Sequence, residues 1–355
     1  LDFERYARQI SLFEIGLEGQ RKLRSAKVCV VGVGGLGCPT ALQLTGMGVG
    51  YLRLIDRDIV SKTDLHRQYL YTSSDVGLPK VEAALRRLKA LNPDVEVDPI
   101  PEALTPSTAK RLIEGVDVVV DGLDRISPRY ALNRACVDLK IPYVFGAAIE
   151  VMGSATSIIP GETPCLECIY PSLRDEEMDR CAVVGVHPSI LSIISSMQVS
   201  EAVRIIIGKK PHLAGKLFFA DLSAPSFDLI DIAKSSRCLA CGERRVAEEP
   251  SFSVEVEESC ARDGRGTFFI TPGQPKAVDL GRLEEALRLR GYQNVKRSLM
   301  AVSFDYSSRM RVHILKSGLA VIQVAPPRQE WDRDEAYKVY LDALDSIKVT
   351  QKKVF

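Results

Sequence analysis

The run Lys27-Val28-Cys29-Val30-Val31-Gly32-Val33-Gly34-Gly35-Leu36-Gly37 is a short β-branched segment that empties into glycines. Its first five residues read as a buried parallel strand. Gly32, Gly34 and Gly37 then fit G-x-G-x-x-G, with Gly35 between them, and Pro39 to Met47 reads as a helix. Glycines at this spacing let the backbone approach a phosphate. The helix N-terminus adds free N–H donors and the positive end of its dipole. Asp56 ends the next strand, Tyr51 to Asp56, 19 residues past Gly37. A carboxylate there accepts from ribose hydroxyls. Taken alone, the motif suggests a nicotinamide or flavin enzyme.

Outward from this motif, strand and helix alternate. A helix spans 79–91, with Val81, Ala84, Leu85, Leu88 and Leu91 at helical spacing. Strands at Val95 to Val97, Val116 to Asp121 and Pro142 to Ala148 are separated by helices at 106–114 and 128–139. The order predicts an α/β fold with a Rossmann-like, doubly wound, mostly parallel sheet. After Ile149 the pattern changes. Val151 to Pro160 reads as an antiparallel addition, Lys216 to Asp221 as a further strand, and Val183 to Ile207 as an apolar helix. His187, Pro188, Glu201 and Arg204 make that helix a poor bilayer span.

Residues 246–251 are polar and linker-like, dividing the chain into 1–245 and 252–355. The second part opens with a hairpin pattern, Phe252 to Glu257 and Thr267 to Ile270 around Asp263-Gly264-Arg265-Gly266. A helix at 279–290, strands near 299–306, 311–316 and 319–325, and a helix at 332–345 follow. This predicts a small α+β domain of the β-grasp kind.

Composition narrows the function classes. The 355 residues suit two domains, and 46% hydrophobic with 26% charged residues is the balance of a folded globular chain. Lys plus Arg is 47 against 46 acidic residues, so no charge-driven nucleic-acid or membrane partner is expected. The chain begins Leu1-Asp2-Phe3-Glu4-Arg5, without a signal-peptide pattern and without an initiator Met, as a processed or trimmed chain would. Nine cysteines, an odd number, point to a reducing, cytoplasmic setting in which thiols bind metal or do chemistry.

Charged residues near the strand ends argue against hydride transfer. Arg67 and Gln68 lie in Asp64-Leu65-His66-Arg67-Gln68, Lys80 opens a helix, and Asp124 follows the fourth strand. Two cations and a carboxylate around a phosphate loop suit a triphosphate with Mg²⁺. Cys165-x-x-Cys168 and Cys238-x-x-Cys241 are two C-x-x-C pairs able to close a tetrahedral zinc site. Cys29, Cys38 and Cys136 read as packing residues, and Cys260 as part of a turn. Cys181 ends a charged loop and precedes the apolar helix. Arg180 and a helix N-terminus there favour a thiolate.

Residues 1–245 resemble the activating enzymes of ubiquitin and ubiquitin-like proteins. That family includes the ThiF- and MoeB-type adenylyltransferases, which activate the sulfur carriers of thiamine and molybdopterin synthesis. The matching segments are Arg5 to Ile10, Gly32 to Gly37, Asp56-Arg57-Asp58, Leu65 to Gln68, Pro79-Lys80-Val81, Asp121 to Asp124 and the two cysteine pairs. The resemblance implies ATP, Mg²⁺ and Zn²⁺ as cofactors. It implies that the glycine loop, Arg67, Gln68 and Lys80 hold phosphates, Asp56 the ribose, and Asp124 the metal and adenylate. Arg8 resembles an arginine inserted into a partner subunit's site, which implies a homodimer. Cys181, in a loop at about 170–186, matches the thiol that receives the activated acyl group. One position departs: Asp64 stands where the family usually has Asn, and a carboxylate near phosphates repels them unless a metal intervenes.

The expected activity is C-terminal adenylation of a ubiquitin-like protein, then thioester transfer to Cys181 and hand-over to a conjugating enzyme recruited by 252–355. That domain carries 17 basic and 16 acidic residues from Val246 to Phe355, with Trp331, Tyr337 and Tyr340 as candidate anchors. The alternative is activation of a sulfur-carrier protein. A non-catalytic dimerisation partner is a third reading, opposed by the intact Asp56, Arg67, Lys80 and Asp124.

Overall fold

The computed structural model describes residues 4–175, 185–243, 245, 253–260, 266–274, 276–326 and 332–351. The sequence elements are α1 (Ala7–Ile10), α2 (Gly16–Ser25), β1 (Lys27–Val31), α3 (Gly37–Met47), β2 (Tyr51–Ile55), α4 (Lys80–Leu91), β3 (Glu96–Ile100), α5 (Ala109–Ile113), β4 (Val118–Asp121), α6 (Ile126–Leu139), β5 (Tyr143–Ile149) and β6 (Met152–Ile158). Then come α7 (Leu166–Ile169), α8 (Pro188–Ile206), β7 (Lys216–Asp221) and β8 (Ser226–Asp231). Among the described residues, these eight strands form one sheet in the order β3-β2-β1-β4-β5-β6-β7-β8. Strands β1 to β5 run parallel, and β6, β7 and β8 extend the sheet antiparallel.

The β-branched run of β1 explains its central place. Val28 and Val30 face a core shared with α3, α4 and α8, where Leu44, Leu88 and Val199 pack. Cys29 and Val31 face the other core, with Leu112 of α5 and Leu132 of α6. Both faces are therefore apolar, as in a sheet covered on both sides. Helix α8 is long and apolar enough to cross a membrane by length and composition. Its Ile190, Ile194, Val199 and Ala202 are instead buried in the cores beside the sheet.

A second sheet follows residues 246–252, which lie outside the described residues, as does the expected linker at 246–251. Its elements are β9 (Glu255–Cys260), β10 (Gly266–Thr271), α9 (Leu280–Leu289), β11 (Gln293–Arg297), β12 (Ala301–Ser307), β13 (Met310–Leu315), β14 (Ala320–Val324) and α10 (Arg333–Gln351). The α+β character matches expectation. The strand order, β11-β12-β13-β14-β10-β9, is antiparallel throughout and departs from a grasp sheet, whose outer connections bring a first and a last strand side by side in parallel. Here β10 meets the last strand, β14, antiparallel, because the four strands after α9 form an unbroken meander. Cys260 closes β9, its Cα opposite Gly266, so its backbone belongs to the ladder and not to a turn. Trp331 lies outside the described residues.

The two sheets are packed together. Phe268, Ile270, Val312 and Ile322 face α9 and α10. Phe269, Ala301, Leu315 and Val321 point the other way and bury against Ile59 and Ala103, which follow β2 and β3. Polar groups close the seam. The fully buried carboxylate of Glu82 on α4 accepts from the Ser298 hydroxyl at 2.7 Å and the Met300 amide at 3.0 Å. Ser317 donates to the Pro101 carbonyl at 2.6 Å. The C-terminal domain thus rests beside the carboxyl ends of the parallel strands, the edge at which open α/β sheets hold ligands.

Candidate functional site

Reversal of strand order between β1 and β4 opens a crevice, and the loops after both strands meet there. Only glycine permits this meeting. Gly32 has a φ of +84°, and a Cβ on it would stand 2.6 Å from the Gly122 carbonyl carbon. A Cβ on Gly37 would stand 1.9 Å from the Gly32 oxygen. Gly35 is closed by Leu191 of α8, whereas Gly34 faces open space, its nearest neighbour being the Gln68 amide. Helix α3 starts at Gly37 with no side chain capping its first amides. An uncapped N-terminus beside open backbone is a seat for an anion.

Asp56 stands over this loop. Its carboxylate accepts from the Val33 amide at 2.7 Å and the Asp58 amide at 2.8 Å. Burial raises its pKa, with Lys80 opposing. Lys80 is almost fully buried, 2.7 Å from Asp58 and 3.8 Å from Asp64. Burial disfavours its charge, but Asp58, Asp56 and Asp64 outweigh that and raise its pKa. The ammonium therefore stays charged beside the loop.

Asp64 organises the remaining predicted contacts. It caps its own short turn by accepting from the Ser61 amide at 2.9 Å. Its other oxygen accepts from the Gln68 amide at 2.9 Å and from Arg67 at 3.3 Å. Arg67 also donates to the Thr63 carbonyl at 2.8 Å. The carboxylate in the family's Asn position is thus occupied by Gln68, Arg67 and Lys80. Gln68 is buried, and its Oε1 has no protein partner among the described residues. An uncapped helix and a held ammonium at one loop fit a phosphate, and the orphaned amide oxygen, an acceptor, suits a hydroxyl or amino donor of the same nucleotide.

Asp124 is exposed just beyond β4. Beneath it lies a buried network that sequence reading missed. Arg129 donates to Asp121 at 3.1 Å and to the Gly146 carbonyl at 2.8 Å. Tyr143 donates to the same Asp121 oxygen at 2.6 Å, and Gln198 of α8 donates to the Asp121 carbonyl at 2.7 Å. Buried networks of this sort, here gathered on Asp121, hold a loop in one position. An exposed carboxylate at that loop suits a hard cation bound chiefly through nucleotide oxygens.

The structure separates Arg8 from this cluster. Its segment is anchored at the far end of α3. Buried Tyr6 packs on Gly48 and accepts from Asn92 at 2.8 Å, and Gln9 donates to the Met47 carbonyl at 3.0 Å. An eleven-residue helix spans about 16 Å, so the phosphate loop at its other end is beyond this anchor's reach. Arg8 itself is exposed. Cys181 lies outside the described residues.

The cysteine pairs converge. Cys165 and Cys238 place their sulfurs 3.5 Å apart, Cys168 and Cys241 3.4 Å apart, and all four lie within 4.8 Å of one another. Tetrahedral zinc with Zn–S near 2.3 Å needs sulfurs about 3.8 Å apart, so the donor set and spacing fit Zn²⁺. The pairs join the start of α7 to the segment after β8, and these four cysteines, like Cys29, Cys38 and Cys136, are free of disulfides.

Comparison with known proteins agrees with this geometry. A mosquito protein of Culex quinquefasciatus, "Adenylyltransferase and sulfurtransferase MOCS3", is 37% identical over 298 residues, covering 83% of this chain and 65% of that protein. The chain therefore spans a little under two thirds of that relative's length. "SAMP-activating enzyme E1" of Haloferax volcanii is 36% identical over 73% of this chain and 95% of its own. "Sulfur carrier protein adenylyltransferase" of Thermus thermophilus is 37% identical over 73% and 97%. A crystal structure of E. coli MccB with ATP matches in fold, with a TM-score of 0.60 and 23% identity over 67% of this chain and 74% of that one. The ThiF family model matches residues 6–240, about two thirds of the sequence, and the chain belongs to the ThiF family.

Proposed function

We propose that the chain uses ATP to adenylate the C-terminal carboxylate of a small sulfur-carrier or ubiquitin-like protein. The observation that carries this is the cluster of Asp56, Lys80, Arg67 and Gln68 around the glycine loop, in a chain whose relatives are named adenylyltransferases. The sulfur-carrier alternative is better supported by those names than hand-over to a conjugating enzyme, the activity first expected.

In this reading a carboxylate oxygen of the carrier forms a bond to the α-phosphorus. The bond from that phosphorus to the bridging oxygen breaks, and pyrophosphate leaves with the electron pair. No proton need move. Asp56 orients the ribose through its hydroxyls. The amides at the start of α3, with Arg67 and Lys80, offset the charge that grows on the departing oxygens. Because Asp64 already holds both cations, little reorganisation is needed when that charge develops. Mg²⁺, held at Asp124 through nucleotide oxygens, would supply further charge neutralisation. Zn²⁺ at the four cysteines would be a closed structural site without an open position. Arg8 would act in the partner subunit of a homodimer. On the conjugating route the Cys181 thiolate would attack the acyl-adenylate carbonyl, forming the thioester bond as AMP leaves.

Carrier-dependent ATP–pyrophosphate exchange by the purified chain is the test. Exchange with a carrier ending in Gly-Gly is expected. Its absence with every sulfur carrier and ubiquitin-like protein of the source organism overturns the reading. A thiocarboxylated carrier as product supports the sulfur route, whereas a thiol-sensitive thioester on Cys181 returns the conjugating route.

A further inference from the structure

Glu257 lies on β9 of the C-terminal domain, 200 residues from the nucleotide motif it touches. Its two oxygens accept from the two terminal nitrogens of Arg57 at 2.7 and 2.8 Å, a bidentate pair. One of those oxygens also accepts from Arg125. Arg57 stacks on Phe269 of the same domain, its guanidinium carbon 4.4 Å from the ring centre. Arg125 reaches Asp175 as well, at 3.6 Å.

The positions of these two arginines matter. Arg57 sits between Asp56 and Asp58, and Arg125 directly follows Asp124. Burial disfavours charge on Arg57. The Glu257 pair outweighs it, and Asp124 and Asp58 add to the attraction. Three carboxylates therefore compete for one guanidinium. Two of them lie at the nucleotide site: Asp58 holds Lys80, and Asp124 is exposed in the loop just beyond β4. An Arg57 released from Glu257 would still feel the attraction of these two carboxylates.

We propose that Glu257 is a positioning residue of the nucleotide site, holding Arg57 away from Asp58 and Asp124 and so leaving those carboxylates for Lys80 and the metal–nucleotide. This rests on the nucleotide-binding part of the function proposed above. It also makes the C-terminal domain a wall of the adenylation unit. The docking seam supports that assignment, since Glu82, on the helix that Lys80 begins, is satisfied by Ser298 and Met300.

Direct binding of Mg·ATP to the full chain, measured by calorimetry without any carrier, tests the proposal. Glu257→Gln should weaken binding about tenfold and move the Mg²⁺ requirement upward. Arg57→Gln alone should leave affinity within about threefold, because the competing guanidinium is gone. The double variant Arg57→Gln with Glu257→Gln should restore most of the loss. A role confined to holding the domain in place predicts instead that the double variant is no better than Glu257→Gln, and that result overturns the proposal. So does unchanged affinity in Glu257→Gln, or a tenfold loss in Arg57→Gln alone. If Glu257→Gln does not fold, the double variant decides: affinity within about threefold of wild type supports the proposal, and a tenfold loss overturns it. Wild type that binds Mg·ATP without catalysing exchange would sink the adenylation reading and leave this one standing. Wild type that binds no Mg·ATP sinks both.

Discussion

Gly37 and Gly32 are in such close contact that a Cβ on the first would stand 1.9 Å from the carbonyl oxygen of the second. The obstacle is backbone, which cannot rotate aside. Alanine in a glycine's place usually gains about 0.4–1 kcal/mol where the backbone tolerates it; Gly37→Ala should instead cost about 1–3 kcal/mol, as overpacking does. A fall in Tm of several degrees with loss of ATP binding is expected. An unchanged melt would show that the loop does not close on itself between Gly32 and Gly37.

Asp64 gathers Gln68, Arg67 and Lys80. Asp64→Ala strands a buried amide and removes one of the counter-charges of a buried ammonium, each a penalty of about 1–3 kcal/mol. The KM for ATP should rise about tenfold, and Tm should fall. Asp64→Asn keeps an acceptor for Gln68 and should be milder. Equal effects from both would mean that the carboxylate charge, and not its hydrogen bonding, is what the site uses.

Elemental analysis of the purified chain should find one zinc per chain. Cys168→Ser should lower the zinc content and Tm together, since binding energy at such sites is folding energy. Zinc-free protein with an unaltered melt would dismiss the site.

His313, on β13, is buried at the seam between the domains. Burial, then Arg311, lowers its pKa to about 4, with Gln323, Asp58 and Asp305 opposing. The unfolded chain takes up this proton near pH 6.5, the folded chain only near 4. Stability is complete above about pH 6.5 and is lost as pH falls towards 4, by at most about 3 kcal/mol. Urea titrations at several pH values should show that slope, and His313→Leu should flatten it. A slope unchanged by the substitution would place the acid sensitivity elsewhere.

Arg8 belongs to a segment held at the far end of α3 from the phosphate loop. If it serves a partner's site, Arg8→Ala and Lys80→Ala should each abolish exchange and recover it when mixed. Random pairing in a symmetric dimer gives on the order of a quarter of wild-type activity. No recovery after subunit exchange would remove Arg8 from the reaction.

Much of the nucleotide half was legible because its signals are local. The run Lys27 to Val31 alternates between two cores, and glycines that must touch backbone have no substitutes. The cysteine pairs were legible from spacing, since four thiols in two short pairs have few other uses. Polar strands were harder. Gln293 to Arg297, β11, carries one buried residue, Val295, and has no apolar periodicity to betray it. Strand β8 exposes Phe227, Leu229 and Ile230, and its edge position could not be read from composition. Glu257 had no signal at all. A carboxylate that meets Arg57 and Arg125 through tertiary packing looks, along the chain, like any other charge on a strand.

The four sulfurs have a mechanical consequence for β8. Among the described residues it is an edge strand, paired with β7 alone, and edges open by peeling from a free end. The chain after β8 runs directly to Cys238 and Cys241, which meet Cys165 and Cys168 in the sheet's interior half. Zinc bound at the four sulfurs would therefore fasten the strand at both ends, together with the turn from β7. A zipper so fastened has no place to start. Extracting the metal would supply one, and the first amides to exchange with solvent should be those of residues 226–231.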